Sequence, residues 1–270
     1  MSEVLWERMK AHELRDLAAK NAVVIVPVAS IEQHGPHLPT MTDTRIGREI
    51  AVRAARRASP KRVVVVTPVV WCGLSEHHMS FGGTITLSPE TFQRVLRDVV
   101  GALVRLGFHD ILLSNSHGGN HIAMQHAAET LSIELRATII ATTYLREAAE
   151  AITPLLDDQA GVHHACEAET SMMLALEPDL VDASALDRLA TPADPPLLLA
   201  GKASFRWRPF SGATRNGVIG NPARATAAKG ESLLDAIAGA LADLVTDGAN
   251  WANPHAPSNE FRGADRSNRG

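Results

Sequence analysis

Four short apolar runs, each followed by a segment with a helical repeat, confine this chain to very few folds. They are Val23-Val24-Ile25-Val26-Pro27-Val28, Val63-Val64-Val65-Val66, Ile111-Leu112-Leu113 and Thr138-Ile139-Ile140-Ala141-Thr142-Thr143. A strand with one wet face alternates apolar and polar side chains, whereas a continuous run suits a parallel strand covered on both faces. Between the runs, Ser88 is placed to N-cap a helix with Pro89 at its first position. Phe92, Leu96, Val99, Val100, Leu103 and Leu106 keep the stripe, and Gly107 marks the stop. Met124, Ala127, Ala128 and Leu131 predict another helix. Asn221-Pro222 repeats the start signal ahead of a stripe of Leu234, Ile237, Leu241 and Leu244. The order βαβαβαβ predicts an α/β fold with a mainly parallel sheet flanked by helices. No linker divides the chain, so residues 1–249 read as one domain. Thr191 to Pro196 reads as a lid or subunit-contact loop, and residues 250–270 as a loose tail.

Composition narrows the function classes. Thirty acidic residues against 26 basic ones give a net charge of −4, which leaves no basic footprint for nucleic acid. The longest apolar run, Val63 to Trp71, is broken by Thr67 and Pro68 and falls far short of the ~20 residues of a membrane span. Charged residues throughout Met1 to Arg15 do not form a signal peptide, and two cysteines do not make a disulfide scaffold, so a cytoplasmic location is the default expectation. Twelve histidines outnumber Phe, Tyr and Trp combined, which points to metal or acid–base chemistry.

The chemistry-bearing residues cluster after the strands, where ligands bind in open α/β sheets. After the first run come Glu32 and His34, two apart and so on one side of an extended segment, then Asp43 before a helix. Carboxylate–imidazole–carboxylate sets suit Zn²⁺, Mn²⁺ or Fe²⁺; a polar loop with Asp43 as N-cap is the plainer alternative. After the third run, His117 is followed by Gly118 and Gly119, which let the backbone approach a ligand, and by Asn120, a candidate N-cap. The segment His163 to Met173 reads as a helix start that places His164 near Glu167 and Glu169, with His164 a candidate proton shuttle. Cys166 has no dedicated activating base and reads as a small buried helix residue. His78 is a candidate for substrate contact or for supporting the ligands, while His77 and Glu76 read equally well as surface residues.

Together these segments resemble the creatininase (creatinine amidohydrolase) family. The resemblance rests on Glu32-Gln33-His34-Gly35-Pro36-His37-Leu38-Pro39 with Asp43, on Phe81-Gly82-Gly83-Thr84, on Ser116-His117-Gly118-Gly119-Asn120, on Glu169-Thr170-Ser171, and on Asn216 to Pro222. It implies a three-layer fold and two divalent metal ions per chain. Glu32, Asp43 and His117 would hold one ion, His34 and Asp43 the other, with Asp43 bridging and His164 as the family's catalytic histidine. The family often assembles as hexamers, so a homo-oligomer is expected. Creatinine-cleaving members place a glutamate where this chain has Gly119 and a tryptophan shortly before the catalytic histidine, where Leu155 to Val162 has none. The resemblance implies that the glutamate of the shared Glu-Thr-Ser triplet, Glu169 rather than Glu167, is the fifth ligand, and creatinine is not the expected substrate. The Gly-Gly form also resembles formamide-type deformylases and the peptide-cleaving member of the mycofactocin pathway.

These residues predict metal-dependent hydrolysis of a small-molecule amide C–N bond, cyclic or formyl. An activated water attacks and His164 protonates the leaving nitrogen. A peptidase of the mycofactocin type is the alternative within the family. A non-catalytic metal or ligand sensor and a purely structural oligomer subunit are the alternatives outside enzymes.

Overall fold

The computed structural model describes residues 3–157, 159, 161–191 and 207–255. Its strands are β1 (Val23–Val28), β2 (Val64–Val66), β3 (Asp110–Asn115) and β4 (Thr138–Thr143), all parallel, in the order β2-β1-β3-β4. The helices are α1 (Ala11–Ala19), α2 (Thr42–Ala58), α3 (Pro89–Arg105), α4 (His121–Leu135), α5 (Tyr144–Glu147), α6 (Ala149–Ile152), α7 (Glu167–Leu176) and α8 (Ala227–Thr246). Helices α2, α3 and α4 are the crossovers that parallel pairing requires. From β1 the chain goes to one side for β2 and to the other for β3. The carboxyl ends of β1 and β3 therefore flank the switch point, where a doubly wound sheet leaves a crevice.

The continuous apolar runs are explained by cover on both faces. Val24, Val26, Val28, Ile111 and Leu113 pack with Phe92, Leu96 and Val100 of α3 and Met124 and Leu131 of α4. Val23, Ile25, Val64, Val66 and Leu112 face the other way, onto Ala51 and Ala55 of α2 and Ala242 and Val245 of α8. A third cluster joins α2, α7 and α8 through Ile46, Ile50, Met172, Met173, Leu234 and Ile237, and closes the layer behind the site.

Local signals set most boundaries. The Ser88 hydroxyl accepts the Thr91 N–H at 3.2 Å, and Gly107 takes φ +94° beyond the end of α3. Leu234, Ile237 and Leu241 are fully buried, while Leu244 is partly so. Three expectations need correction. Asn221-Pro222 starts only the single turn Pro222–Arg224, because Ala225 returns to extended backbone; Thr226 caps α8 instead, accepting the Lys229 N–H at 3.1 Å. The helix expected from His163 begins at Glu167, because His164 pairs as a β-bridge with Ile219 and Ala165 has φ +51°, which no right-handed helix tolerates. Asn120 stands at the start of α4, but its side chain caps nothing there; it ties Leu74 N–H to the Ala29 carbonyl across the strand ends.

Of the expected loop at Thr191 to Pro196, Thr191 bridges Gly220 and the rest lies outside the described residues. Of the expected tail, residues 250–255 are described; Trp251 is buried, with its indole N–H on the Val245 carbonyl at 2.9 Å. No helix among the described residues is long and apolar enough to cross a membrane.

Candidate metal centre

Five polar side chains converge beyond the carboxyl ends of β1 and β3, all of them buried. Glu32 and His34 come from the extended segment after β1, and His117 from the residue pair following β3. Asp43 and Glu169 stand in the first turns of α2 and α7, where the helix N-terminus favours a carboxylate. His117 Nδ1 lies 3.1 Å from Glu32 Oε2 and 3.2 Å from Asp43 Oδ2. His34 Nε2 lies 3.3 Å from Asp43 Oδ1 and 3.8 Å from Glu169 Oε2. The two oxygens of Asp43 thus face two different donor sets, Glu32–Asp43–His117 and His34–Asp43–Glu169, each compact enough for one ion. A third compact set is Glu32–His34–His164.

The outer edges of three rings are pinned. His34 Nδ1 lies 3.1 Å from the Glu32 carbonyl, His117 Nε2 3.0 Å from the Leu74 carbonyl, and His164 Nε2 2.8 Å from the Gln33 carbonyl. A carbonyl only accepts, so each outer nitrogen carries a proton, and a neutral ring turns its lone pair inward. That is how proteins orient metal-binding imidazoles.

The pocket's charge calls for a cation. Burial opposes protonation of His34, yet Asp43, Glu169 and Glu32 outweigh it and raise the ring to about 9. His117 rises well above its ordinary value against the same burial, through Glu32 and Asp43. Burial pushes Glu169 up to about 7, with His34 pulling down and Asp43 pushing up. His34 Nε2 and Asp43 Oδ2 are buried with no hydrogen-bond partner. Orphaned polar atoms aimed into a space lined by three carboxylates and two imidazoles fit a divalent ion in donor type and in charge.

His164 sits at the edge of this group, its side chain 13% exposed and its Nδ1 3.6 Å from Glu32 Oε1. Burial, reinforced by His34, holds it down at about 3, a neutral ring. His78 lies beside Glu32, with Nε2 3.4 Å from Oε1. The two glycines after His117 differ. A side chain at Gly118 would meet open space, whereas a Cβ at Gly119 would stand 2.4 Å from both His117 Nε2 and the Leu74 carbonyl. Glu167, kept as a site candidate in the sequence, belongs elsewhere. It is fully buried but pairs with Lys229 and accepts the Asp157 N–H, because the first residue of α7 faces α8. Cys166 is buried at the N-cap of α7, and burial raises its thiol to about 11.

Ser75 and Phe210 carry no sequence signal of their own, and His77, which in the sequence reads equally well as a surface residue, also joins the pocket. Ser75 donates to Glu32 Oε2 at 2.6 Å. His77 stacks at 17° on His117 with ring centroids 5.7 Å apart. Phe210, from the short turn Phe210–Gly212, lies over His78 at 4.2 Å and meets His164 edge-on at 4.9 Å.

Comparison with known proteins identifies the family and the fold. A family model described as creatininase, creatinine amidohydrolase, matches residues 7–245. The mycofactocin precursor peptide peptidase of Mycobacterium ulcerans is 33% identical, over 84% of this chain and 85% of its own. The creatinine amidohydrolase of Pseudomonas putida is 26% identical, over 92% and 96%. A creatininase crystal structure superposes with a TM-score of 0.78 at 24% identity, covering 93% of this chain and 99% of its own. Creatininase structures titled as a Zn–Zn mutant form and a Mn form superpose at 0.77. With a family match over nearly its whole length and a parallel sheet of the same architecture, the chain belongs to the creatininase family of amidohydrolases.

Proposed function

We propose that the chain hydrolyses an amide C–N bond at a centre of two divalent ions, held by Glu32, Asp43 and His117 on one side and by His34, Asp43 and Glu169 on the other. The observation that carries this reading is Asp43, whose two oxygens face two separate donor sets. When bound, such ions supply Lewis acidity to the scissile carbonyl and lower the pKa of water. The protein's part is orientation and proton movement. The Glu32, Leu74 and Gln33 carbonyls fix the three rings, and Ser75 holds one Glu32 oxygen. His164, neutral and edging the pocket, takes up at Nδ1 the proton given up by the attacking water and delivers it to the leaving nitrogen. Phe210 packs its ring over His78 and edge-on against His164, leaving His164 partly open at the pocket rim.

On substrate, a short peptide is preferred to the small cyclic or formyl amide expected from the sequence. The peptidase of Mycobacterium ulcerans is 33% identical over 84% of the chain, against 26% for the creatinine amidohydrolase of Pseudomonas putida, and the formylamino-pyrimidine deformylase of Methanobrevibacter smithii matches over only 42% of the chain. Creatinine is disfavoured, because no side chain fits at Gly119. Purified protein loaded in turn with Zn²⁺, Mn²⁺ and Fe²⁺ is to be assayed against short peptides, N-formyl compounds, cyclic amides and creatinine. Metal-dependent release of an amine from a peptide is expected. Fully loaded protein that cleaves no amide would leave a binding role instead. Elemental analysis tests the centre itself: Asp43→Ala should lose both ions, and wild-type metal content in that variant would end the bridging assignment.

A further inference from the structure

Gln33 stands between two of the pocket histidines, His78 and His164. The orientation of its amide follows from its neighbours. The Gly35 N–H can only donate and lies 2.9 Å from Gln33 Oε1, so Oε1 is the accepting end and Nε2 carries two hydrogens. Nε2 meets His78 Nδ1 at 2.7 Å, His164 Nε2 at 3.1 Å and the Gly217 carbonyl at 3.3 Å. His164 Nε2 lies nearer the main-chain carbonyl of Gln33, at 2.8 Å, and gives its proton there. The two amide hydrogens are left for His78 Nδ1 and the Gly217 carbonyl, and every donor then has one acceptor. His78 must carry its own proton on Nε2, the atom facing Glu32.

The slot is shaped to the amide. Gly217 has φ +79°, and a Cβ there would lie 2.0 Å from Gln33 Oε1. The segment Asn216 to Pro222, prominent in the sequence yet without a chemical role, thus supplies one wall and one acceptor for Gln33.

We propose that Gln33 is a positioning residue. Its side chain fixes His78 as the Nε2–H tautomer that orients Glu32, and its carbonyl fixes His164 with Nδ1 turned to the centre. The inference rests on the two-metal reading above for its consequence, metal affinity, but not for the tautomers themselves.

The test uses the full chain with ¹⁵N-labelled histidine, incubated with Zn²⁺. Long-range ¹⁵N–¹H spectra read which ring nitrogen bears the proton, with assignments from His78→Gln and His164→Gln. Protons on Nε2 of both rings are expected; a proton on Nδ1 of either overturns the proposal. Gln33→Leu removes the donor, and Gln33→Glu keeps the shape but presents an acceptor to His78. Both should alter the His78 ring signals and weaken zinc about 10- to 100-fold in chelator competition. Wild-type affinity in both would reduce Gln33 to a space-filler and overturn the role. If either variant fails to fold, the wild-type spectrum decides alone. If the wild type takes up no zinc, the metal reading fails, while the tautomers in the same spectrum still decide for or against Gln33.

Discussion

Replacing His164 by alanine separates catalysis from metal binding. The ring is 13% exposed and gives its outer proton to the Gln33 carbonyl, so deletion orphans one acceptor at the pocket edge. An orphaned buried acceptor costs about 1–3 kcal/mol, and the partial exposure lets water replace the ring, which favours the lower end. At ~2.1 cal/mol/K per residue, 270 residues unfold with about 0.57 kcal/mol/K, so about 1–3 kcal/mol lowers Tm by about 2–5 °C. Glu32, His34, Asp43, His117 and Glu169 remain, and metal content should stay at the wild-type level. Losing a proton shuttle lowers kcat by about 10²–10⁴-fold, or about 3–5 kcal/mol of barrier. Elemental analysis, a thermal melt and steady-state kinetics on one preparation give all three quantities. The structure sharpens the alternative, because Glu32, His34 and His164 also form a compact donor set. Metal lost together with activity would make His164 a ligand. An unchanged kcat would make it a rim residue, and either result refutes the shuttle.

Three further outcomes follow from particular contacts. Lys229→Met leaves Glu167 buried without its cation, at a cost of about 3–5 kcal/mol; a melt should fall by several degrees with metal content intact, and metal loss without a shift in Tm would return Glu167 to the site. Gly119→Ala drives a Cβ into His117 and the Leu74 carbonyl and should weaken metal binding about 10- to 100-fold in chelator competition, whereas Gly118→Ala, facing open space, should leave it unchanged; equal affinities would refute the packing argument. Phe210→Leu removes the ring over His78 and His164 and should lower kcat/KM for peptides with an apolar group at the scissile bond more than for formamide; an equal loss on both would deny Phe210 a part in selection.

Most of the architecture was legible because it depends on short-range chemistry. β1 and β4 match their apolar runs residue for residue, and β2 and β3 differ from theirs by one to three residues at the ends. The Ser88–Pro89 start and the Gly107 stop held because capping and positive φ are settled within a few residues. Expectations failed where a distant partner intervened. His164 left the helical register to pair with Ile219, and the Asn120 side chain was drawn to Leu74 and Ala29.

Glu32, His34 and His117 could be selected from the linear chain because residue type and strand ends marked them, with Asp43 just ahead of a helix, whereas Glu169 was selected through the Glu-Thr-Ser triplet shared with the family. Their division into two donor sets came only as an implication of the family resemblance; its physical basis lies in the orientation of Asp43 between β1, β3 and α7. The resemblance favoured Glu169 over Glu167, and the physical difference between the two appears in the tertiary structure. The two are 200° apart around a helix at 100° per residue, so one turns to Lys229 on α8 and the other to His34. Phe210, Ser75 and the Gly217 wall reach the pocket from loops far apart in the chain, and no local rule encodes such meetings. Sequence alone determined the sheet, its crossovers and the kinds of side chain at the strand ends, since these follow from backbone geometry and burial. Which atoms face one another across the pocket was decided only when the packed layers of α2, α7 and α8 fixed the direction of each side chain.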